Sequence, residues 1–120
     1  MASKILIIED DFDLVWMIRK LLDVKGYEVL TAVTAEQGID QFSRHIFDIQ
    51  LVLLDLTLPD MEGETVLQEI FKVRPEIPVI ITTGSEDRSQ QRRLEASGIY
   101  AYLVKPFDLT RLVELIEQRL

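Results

Sequence analysis

Ile49-Gln50-Leu51-Val52-Leu53-Leu54-Asp55 is the stretch that decides the fold. It is a nearly unbroken apolar run of strand length, and it ends on a carboxylate. Such a run suits a strand buried on both faces, as in a parallel sheet covered by helices. Packing alone rarely places a charge at the end of a buried strand, so Asp55 reads as a site residue. The loop that follows, Leu56-Thr57-Leu58-Pro59, carries the chain out of the sheet.

The same device recurs on either side. Lys4-Ile5-Leu6-Ile7-Ile8 delivers Glu9, Asp10 and Asp11, Val79-Ile80-Ile81-Thr82 delivers Thr83, and Ile99-Tyr100-Ala101-Tyr102-Leu103-Val104 delivers Lys105 and Pro106. In a parallel sheet all these strand ends lie on one edge, where the groups can converge.

Between the strands the apolar period changes to that of helices. Strands are predicted at Lys4–Ile8, Tyr27–Leu30, Ile49–Leu54, Pro78–Thr82 and Tyr100–Val104. Helices are predicted at Phe12–Lys25, Ala35–Arg44, Gly63–Arg74, Asp87–Ser97 and Leu109–Leu120. Leu14, Met17, Ile18, Leu21 and Leu22 keep helical spacing, and Gly26 is a natural stop. Thr34 with Gln37 has capping-box spacing, and Asp108 suits the start of the last helix. Strand then helix, five times, predicts a doubly wound parallel α/β sheet with helices on both faces, for which 2-1-3-4-5, the flavodoxin-like order, is a common arrangement. That order puts the ligand beside the switch between strands 1 and 3, the strands that carry the acids.

Composition narrows the function. The 120 residues suit one domain spanning 1–120, with 48% apolar residues to fill a core. The absence of Cys excludes a disulfide scaffold and thiol catalysis, and a single His45 excludes a multi-histidine metal site. A net charge of −8 argues against direct binding of nucleic acid. No apolar run is long enough to span a membrane, and the residues before Lys4 are too few for a signal peptide, so a cytoplasmic location is expected.

Glu9, Asp10 and Asp55 would bring three negative charges together, an arrangement that a hard divalent cation relieves. Oxygen-only ligands suit Mg²⁺, with Mn²⁺ as a substitute. Mg²⁺ held by carboxylates usually has a phosphate as its other partner. Lys105 adds a positive charge and Thr83 a hydroxyl. Together they describe a phosphoryl-transfer site with Asp55 as nucleophile. Asp11 is better explained as a helix N-terminal acid that complements the dipole.

Four motifs now stand in order: Ile7-Ile8-Glu9-Asp10-Asp11, Leu53-Leu54-Asp55-Leu56-Thr57-Leu58-Pro59-Asp60-Met61-Glu62-Gly63, Thr82-Thr83-Gly84 and Tyr102-Leu103-Val104-Lys105-Pro106-Phe107. Over essentially the whole chain they resemble the receiver domain of two-component response regulators, the CheY-like family. The resemblance implies that Asp55 accepts a phosphoryl group from a sensor histidine kinase or a histidine phosphotransfer protein. It implies that Asp10 and Asp55 bind Mg²⁺ directly, with Glu9 acting through water and the Thr57 carbonyl as a further ligand. Lys105 would hold the phosphoryl oxygens, with a cis bond to Pro106. Thr83 and Tyr102 would switch, and the face of helix 4, strand 5 and helix 5 would report the state. Such a domain is a phosphoacceptor that assists its own phosphorylation and dephosphorylation, not an enzyme with an external substrate. Thr57 and Ser85, at the positions that tune hydrolysis in the family, supply neither carboxylate nor amide, so the phospho-form is expected to hydrolyse more slowly than with acid or amide residues there.

Some features depart from the family. Ile99, not a small residue, follows Gly98. Helix 4 is strongly polar, with only Leu94 and Ala96 expected to be buried. No effector domain follows Leu120, so a single-domain regulator or an excised receiver is expected. In helix 1, Leu14, Met17 and Ile18 are assigned to the sheet, leaving Val15 and Trp16 toward solvent. The expected kinase-docking surface is Leu14, Val15 and Trp16 with Leu58, Pro59, Pro106 and Phe107.

Three other readings compete. A phosphatase of the haloacid-dehalogenase type also uses Asp, Mg²⁺, Thr and Lys, but carries its nucleophile on the first strand with a second Asp two residues later. Here the candidate nucleophile is on the third strand and position 57 is Thr. A flavodoxin-like nucleotide or flavin module needs a phosphate-cradling loop after strand 1, which is missing. A phosphate-independent pseudo-receiver would have lost a key group, and none is lost.

Overall fold

The computed structural model describes residues 3–120; Met1 and Ala2, part of the short N-terminal lead, lie outside them. Five strands, β1 (Lys4–Ile8), β2 (Glu28–Ala32), β3 (Ile49–Asp55), β4 (Val79–Thr83) and β5 (Ala101–Val104), alternate with five helices. These are α1 (Phe12–Val24), α2 (Ala35–Arg44), α3 (Gly63–Val73), α4 (Arg88–Ala96) and α5 (Leu109–Arg119). The sheet is all parallel, as the alternation predicted, in the order β2-β1-β3-β4-β5.

Alternation along each strand splits the core into two layers. Leu6, Ile8, Val52, Leu54, Val79 and Ile81 face α2, α3 and α4. Ile5, Ile7, Leu51, Leu53 and Ile80 face α1 and α5. Both layers are apolar, so the central strands read as continuous runs with no polar face. Each fully buried Leu or Ile contributes about 1.5–3 kcal/mol relative to exposure.

Turn chemistry follows the sequence in most places. The backbone of Gly26 has φ +87°, a conformation that ends α1 and that side chains disfavour. The Thr34 hydroxyl accepts from the Gln37 N–H, but the Gln37 side chain returns to the Val33 N–H, one residue before the predicted capping-box partner. Asp11 caps α1 by accepting from the Leu14 N–H, and Asp108 caps α5 by accepting from the Thr110 N–H.

Helix α1 differs from expectation. Its buried stripe is Leu14, Val15, Ile18 and Leu22, whereas Met17 and Leu21 are exposed beside Trp16 and Phe12. Two stripes with helical spacing share Leu14, Ile18 and Leu22, and periodicity does not choose between them. The core layer that includes Val29, Leu112 and Ile116 takes up Val15 instead. In α4 only Leu94 is buried; Ala96 is exposed, because its methyl lies two positions beyond the single contact stripe. Strand β2 runs to Ala32, past the predicted end at Leu30, because its ladder with β1 continues to Ile8.

Candidate functional site

Sheet register builds the site. Ile8 lies opposite Leu54 and Ala32, so Glu9 and Asp55 emerge together at the carboxyl edge. Asp55 pairs with Thr82, and Thr83 pairs with Val104, so Lys105 follows directly. Backbone hydrogen bonds extend past the strands and hold this edge still: Glu9 N–H to Ala32 O (2.9 Å), Leu56 N–H to Thr82 O (2.9 Å) and Lys105 N–H to Thr83 O (2.7 Å).

At this edge Glu9, Asp10 and Asp55 each offer an oxygen within 4.8 Å of the others. Glu9 is 2% exposed and Asp55 1%, whereas Asp10 faces solvent. Lys105 Nζ lies 2.6 Å from Glu9 Oε1 and 3.2 Å from Asp55 Oδ2. The other Asp55 oxygen, Oδ1, accepts from the Thr57 N–H (2.9 Å) and the Thr57 hydroxyl (2.8 Å). Asp55 is thus held from both sides. The Lys105–Pro106 peptide is cis.

These partners set the charges. Burial pushes Glu9 up to about 7, against the pull of Lys105, and the neighbouring Asp55 adds to the rise. Burial also pushes Asp55 upward, but the hydrogen bonds from Thr57, the neighbouring Glu9 and the charge of Lys105 outweigh it and hold Asp55 below the usual carboxylate range. Burial disfavours the Lys105 cation, yet its contacts with Glu9 and Asp55 raise its pKa. One lysine faces three carboxylates, so the cluster keeps net negative charge and is built only of oxygens. That donor set fits a hard divalent cation, with the open Asp10 side left for water or phosphate.

Thr83 is buried and its hydroxyl accepts from the Ser85 N–H; no hydrogen bond links it to Asp55. The Tyr102 hydroxyl is buried without a hydrogen-bond partner. Its pKa is raised by burial and then by the charge of Asp87, while the nearby Thr83 opposes weakly from outside hydrogen-bond geometry.

The expected docking residues divide. Pro59, Trp16 and Pro106 are exposed, and Leu14, Val15 and Phe107 are half-buried. Leu58 is buried in the core beneath the β3–α3 loop, because the loop folds inward there, and so it is not part of the surface. A cleft of about 520 Å³ runs from Lys105 along Pro106, Phe107 and Leu109 to Leu14 and Met17. Two features escaped the sequence reading. Met17 and Phe12, the latter 79% exposed, join Trp16 on the open face of α1. Asp60 accepts from the Ala35 N–H (2.9 Å) and the Glu36 N–H (3.1 Å) with its two oxygens. An Asp after Pro is ordinary loop composition, and nothing local signals a partner 25 residues away.

An all-parallel 2-1-3-4-5 sheet with an acidic cluster and a lysine at its carboxyl edge defines a CheY-like receiver. Residues 5–117 match the family model of the response regulator receiver domain, and the chain belongs to that family. It is 31% identical to the chemotaxis protein CheY of Bacillus subtilis, over all of this chain and 99% of that protein. It is 34% identical to the cell cycle transcriptional regulator CtrA of Caulobacter vibrioides, over 94% of this chain but 48% of that protein. The chain therefore spans about half the length of that regulator. A response regulator receiver domain from Clostridium thermocellum superposes with a TM-score of 0.90 at 34% identity, covering 99% of this chain and 94% of that one.

Proposed function

We propose that the chain is the phosphoacceptor of a two-component phosphorelay, one receiver unit over residues 1–120, with Asp55 as the acceptor. The supporting observation is the Asp55 carboxylate itself: almost wholly buried, ionised, and held between Lys105 and Thr57 beside two further acids. A carboxylate kept ionised at low exposure is prepared for nucleophilic attack. In the transfer, an Asp55 oxygen bonds to phosphorus as the phosphorus–nitrogen bond of a phosphohistidine breaks, and the freed imidazole takes up a proton. Lys105 neutralises charge on the phosphoryl oxygens.

Glu9, Asp10, Asp55 and the Thr57 carbonyl would hold Mg²⁺, with Mn²⁺ as substitute. The bound ion supplies charge neutralisation for the incoming phosphoryl group. Thr83 and Tyr102 act as the switch, with the buried, unpartnered Tyr102 hydroxyl the group with most to gain from a new contact. The α4–β5–α5 face carries the output. The donor is a sensor histidine kinase or histidine phosphotransfer protein that seats on α1 and the cleft beside Lys105. The chain acts in the cytoplasm; among the described residues no helix is long and apolar enough to cross a membrane.

Intact-mass analysis after incubation with acetyl phosphate and Mg²⁺ tests the acceptor. Wild type should gain one phosphoryl group and Asp55→Asn none. Equal labelling of the two would move the acceptor elsewhere.

A further inference from the structure

We propose that Asp60 is a positioning residue for the cation site: it clamps the β3–α3 loop to the first turn of α2 and so presets the Thr57 carbonyl beside Asp55. This rests on the reading of Glu9, Asp10, Asp55 and Thr57 as the Mg²⁺ ligands.

The loop runs from Leu56 to Glu62 and needs fixing, since its outer part leaves the sheet. One end is tight: a Cβ on Gly63 would lie 2.5 Å from Leu56 Cδ2 and 2.6 Å from Leu56 Cα, so the two loop ends close directly on each other. Leu58 anchors the middle from inside. Among the described residues, the side-chain hydrogen bonds that tie the outer part to another element are those of Asp60, one oxygen accepting from the Ala35 N–H and the other from the Glu36 N–H. Both are charge-assisted, and the helix N-terminus favours the anion. The two amides hold the Asp60 carboxyl below the usual carboxylate range, so it stays ionised wherever the site is active. Thr34 accepts from the next amide, Gln37, so three consecutive free N–H groups of α2 are satisfied, two of them from the loop. Asp60 is thus more than a cap: removing it frees the loop as well as the helix end. Outer groups that orient metal ligands commonly change affinity by about 10–100-fold when removed.

The test compares Asp60→Ala, Asp60→Asn and Thr34→Ala in the whole chain, with Mg²⁺ affinity measured by calorimetry and by the shift in thermal midpoint. Thr34→Ala removes a cap of the same helix end without touching the loop, and so controls for lost helix stability. We expect Asp60→Ala to raise the Kd for Mg²⁺ about tenfold and to speed amide exchange over residues 57–61. Asp60→Asn, which keeps one acceptor oxygen, should fall between it and wild type. Thr34→Ala should lower the metal-free midpoint yet leave the Kd unchanged. Acetyl-phosphate labelling of Asp60→Ala should be slow at low Mg²⁺ and recover at saturating Mg²⁺. An unchanged Kd in Asp60→Ala and Asp60→Asn, or an equal loss in Thr34→Ala, would reduce Asp60 to a helix cap and overturn the proposal. A wild-type chain that binds no Mg²⁺ would overturn the metal site itself, and the positioning role with it.

Discussion

Glu9 is the residue whose environment departs furthest from what its neighbours in sequence suggest. An acid before a helix usually stays ionised, but here burial raises the pKa from 4.5 to about 7. In the unfolded chain Glu9 loses its proton near its ordinary value; in the folded, metal-free chain it keeps the proton longer. Between those values the folded state binds more protons, so stability falls as pH rises. The contribution is fully present below pH 4.5 and is lost as pH passes about 7. Glu9→Gln removes this titration. Urea unfolding without metal should therefore show the stability of wild type relative to Glu9→Gln declining from pH 5 to pH 8. A difference that stays flat or grows would mean that Glu9 is ionised throughout. Because the cation takes the ionised form, Mg²⁺ should bind wild type more tightly at pH 8 than at pH 6.

Among the elements, α4 is the most weakly held. Its sole buried side chain is Leu94, whereas α1 buries Ile18 and Leu22 and α5 buries Leu112, Val113, Leu115 and Ile116. Across the gap to α3 the tie is an ion pair: Arg93 reaches Glu64 at 2.5 Å, both partly exposed. Exposed pairs of this kind contribute roughly 0.2–1 kcal/mol. Local opening of α4 should thus be easy. Amide exchange over 88–96 should be faster than in α1, and Arg93→Ala should quicken it up to roughly fivefold further, as the loss of such a pair allows. Phosphorylation or a phosphoryl mimic should slow it. Protection equal to that of α1 and unmoved by phosphorylation would leave α4 without a switching role. Its polar sequence made the thin packing legible. The Glu64 partner was not, because Arg88, Arg92 and Arg93 look alike until the fold sets α3 beside one of them.

For the molecule as a whole, the exposed large apolar residues fall in several places: Leu21 and Val24 farther along α1, Phe47 before β3, Val73 at the end of α3 and Leu120 at the end of the chain, besides a group near the site. Phe12, Trp16 and Met17 are exposed on the first turns of α1, and Met17 also lines the cleft that leads to Lys105. A contiguous exposed apolar patch marks an interaction surface. Lys20 Nζ sits 5.2 Å from the Trp16 ring centroid and lends the patch a charged rim. Trp16→Glu or Met17→Glu should slow phosphoryl transfer from a phosphorylated kinase or phosphotransfer protein tenfold or so, an interface anchor being worth on the order of 1–2 kcal/mol. Labelling by acetyl phosphate should be untouched. Loss of both would signal damage to the fold, and full transfer in both variants would remove the patch from docking. Val15, half-buried against the second core layer, is the wrong residue for this test.

Apolar runs of strand length with helical periods between them already point to a five-stranded parallel sheet, and the four motifs that resemble the receiver family point to its 2-1-3-4-5 order. The same runs determine that Glu9, Asp10, Asp55, Thr83 and Lys105 share one edge, because a strand's direction and its end are local properties of the chain. Tertiary structure decided the rest. It chose which of two overlapping stripes α1 buries, folded Leu58 inward and away from the surface, and joined Asp60 to amides 24 and 25 residues before it. It also raised Glu9 by burial while holding Asp55 down. Each of these depends on which distant surface arrives beside a residue. Periodicity fixes the spacing of side chains along an element, but the element's rotation, the depth of a loop and the local dielectric come only from packing.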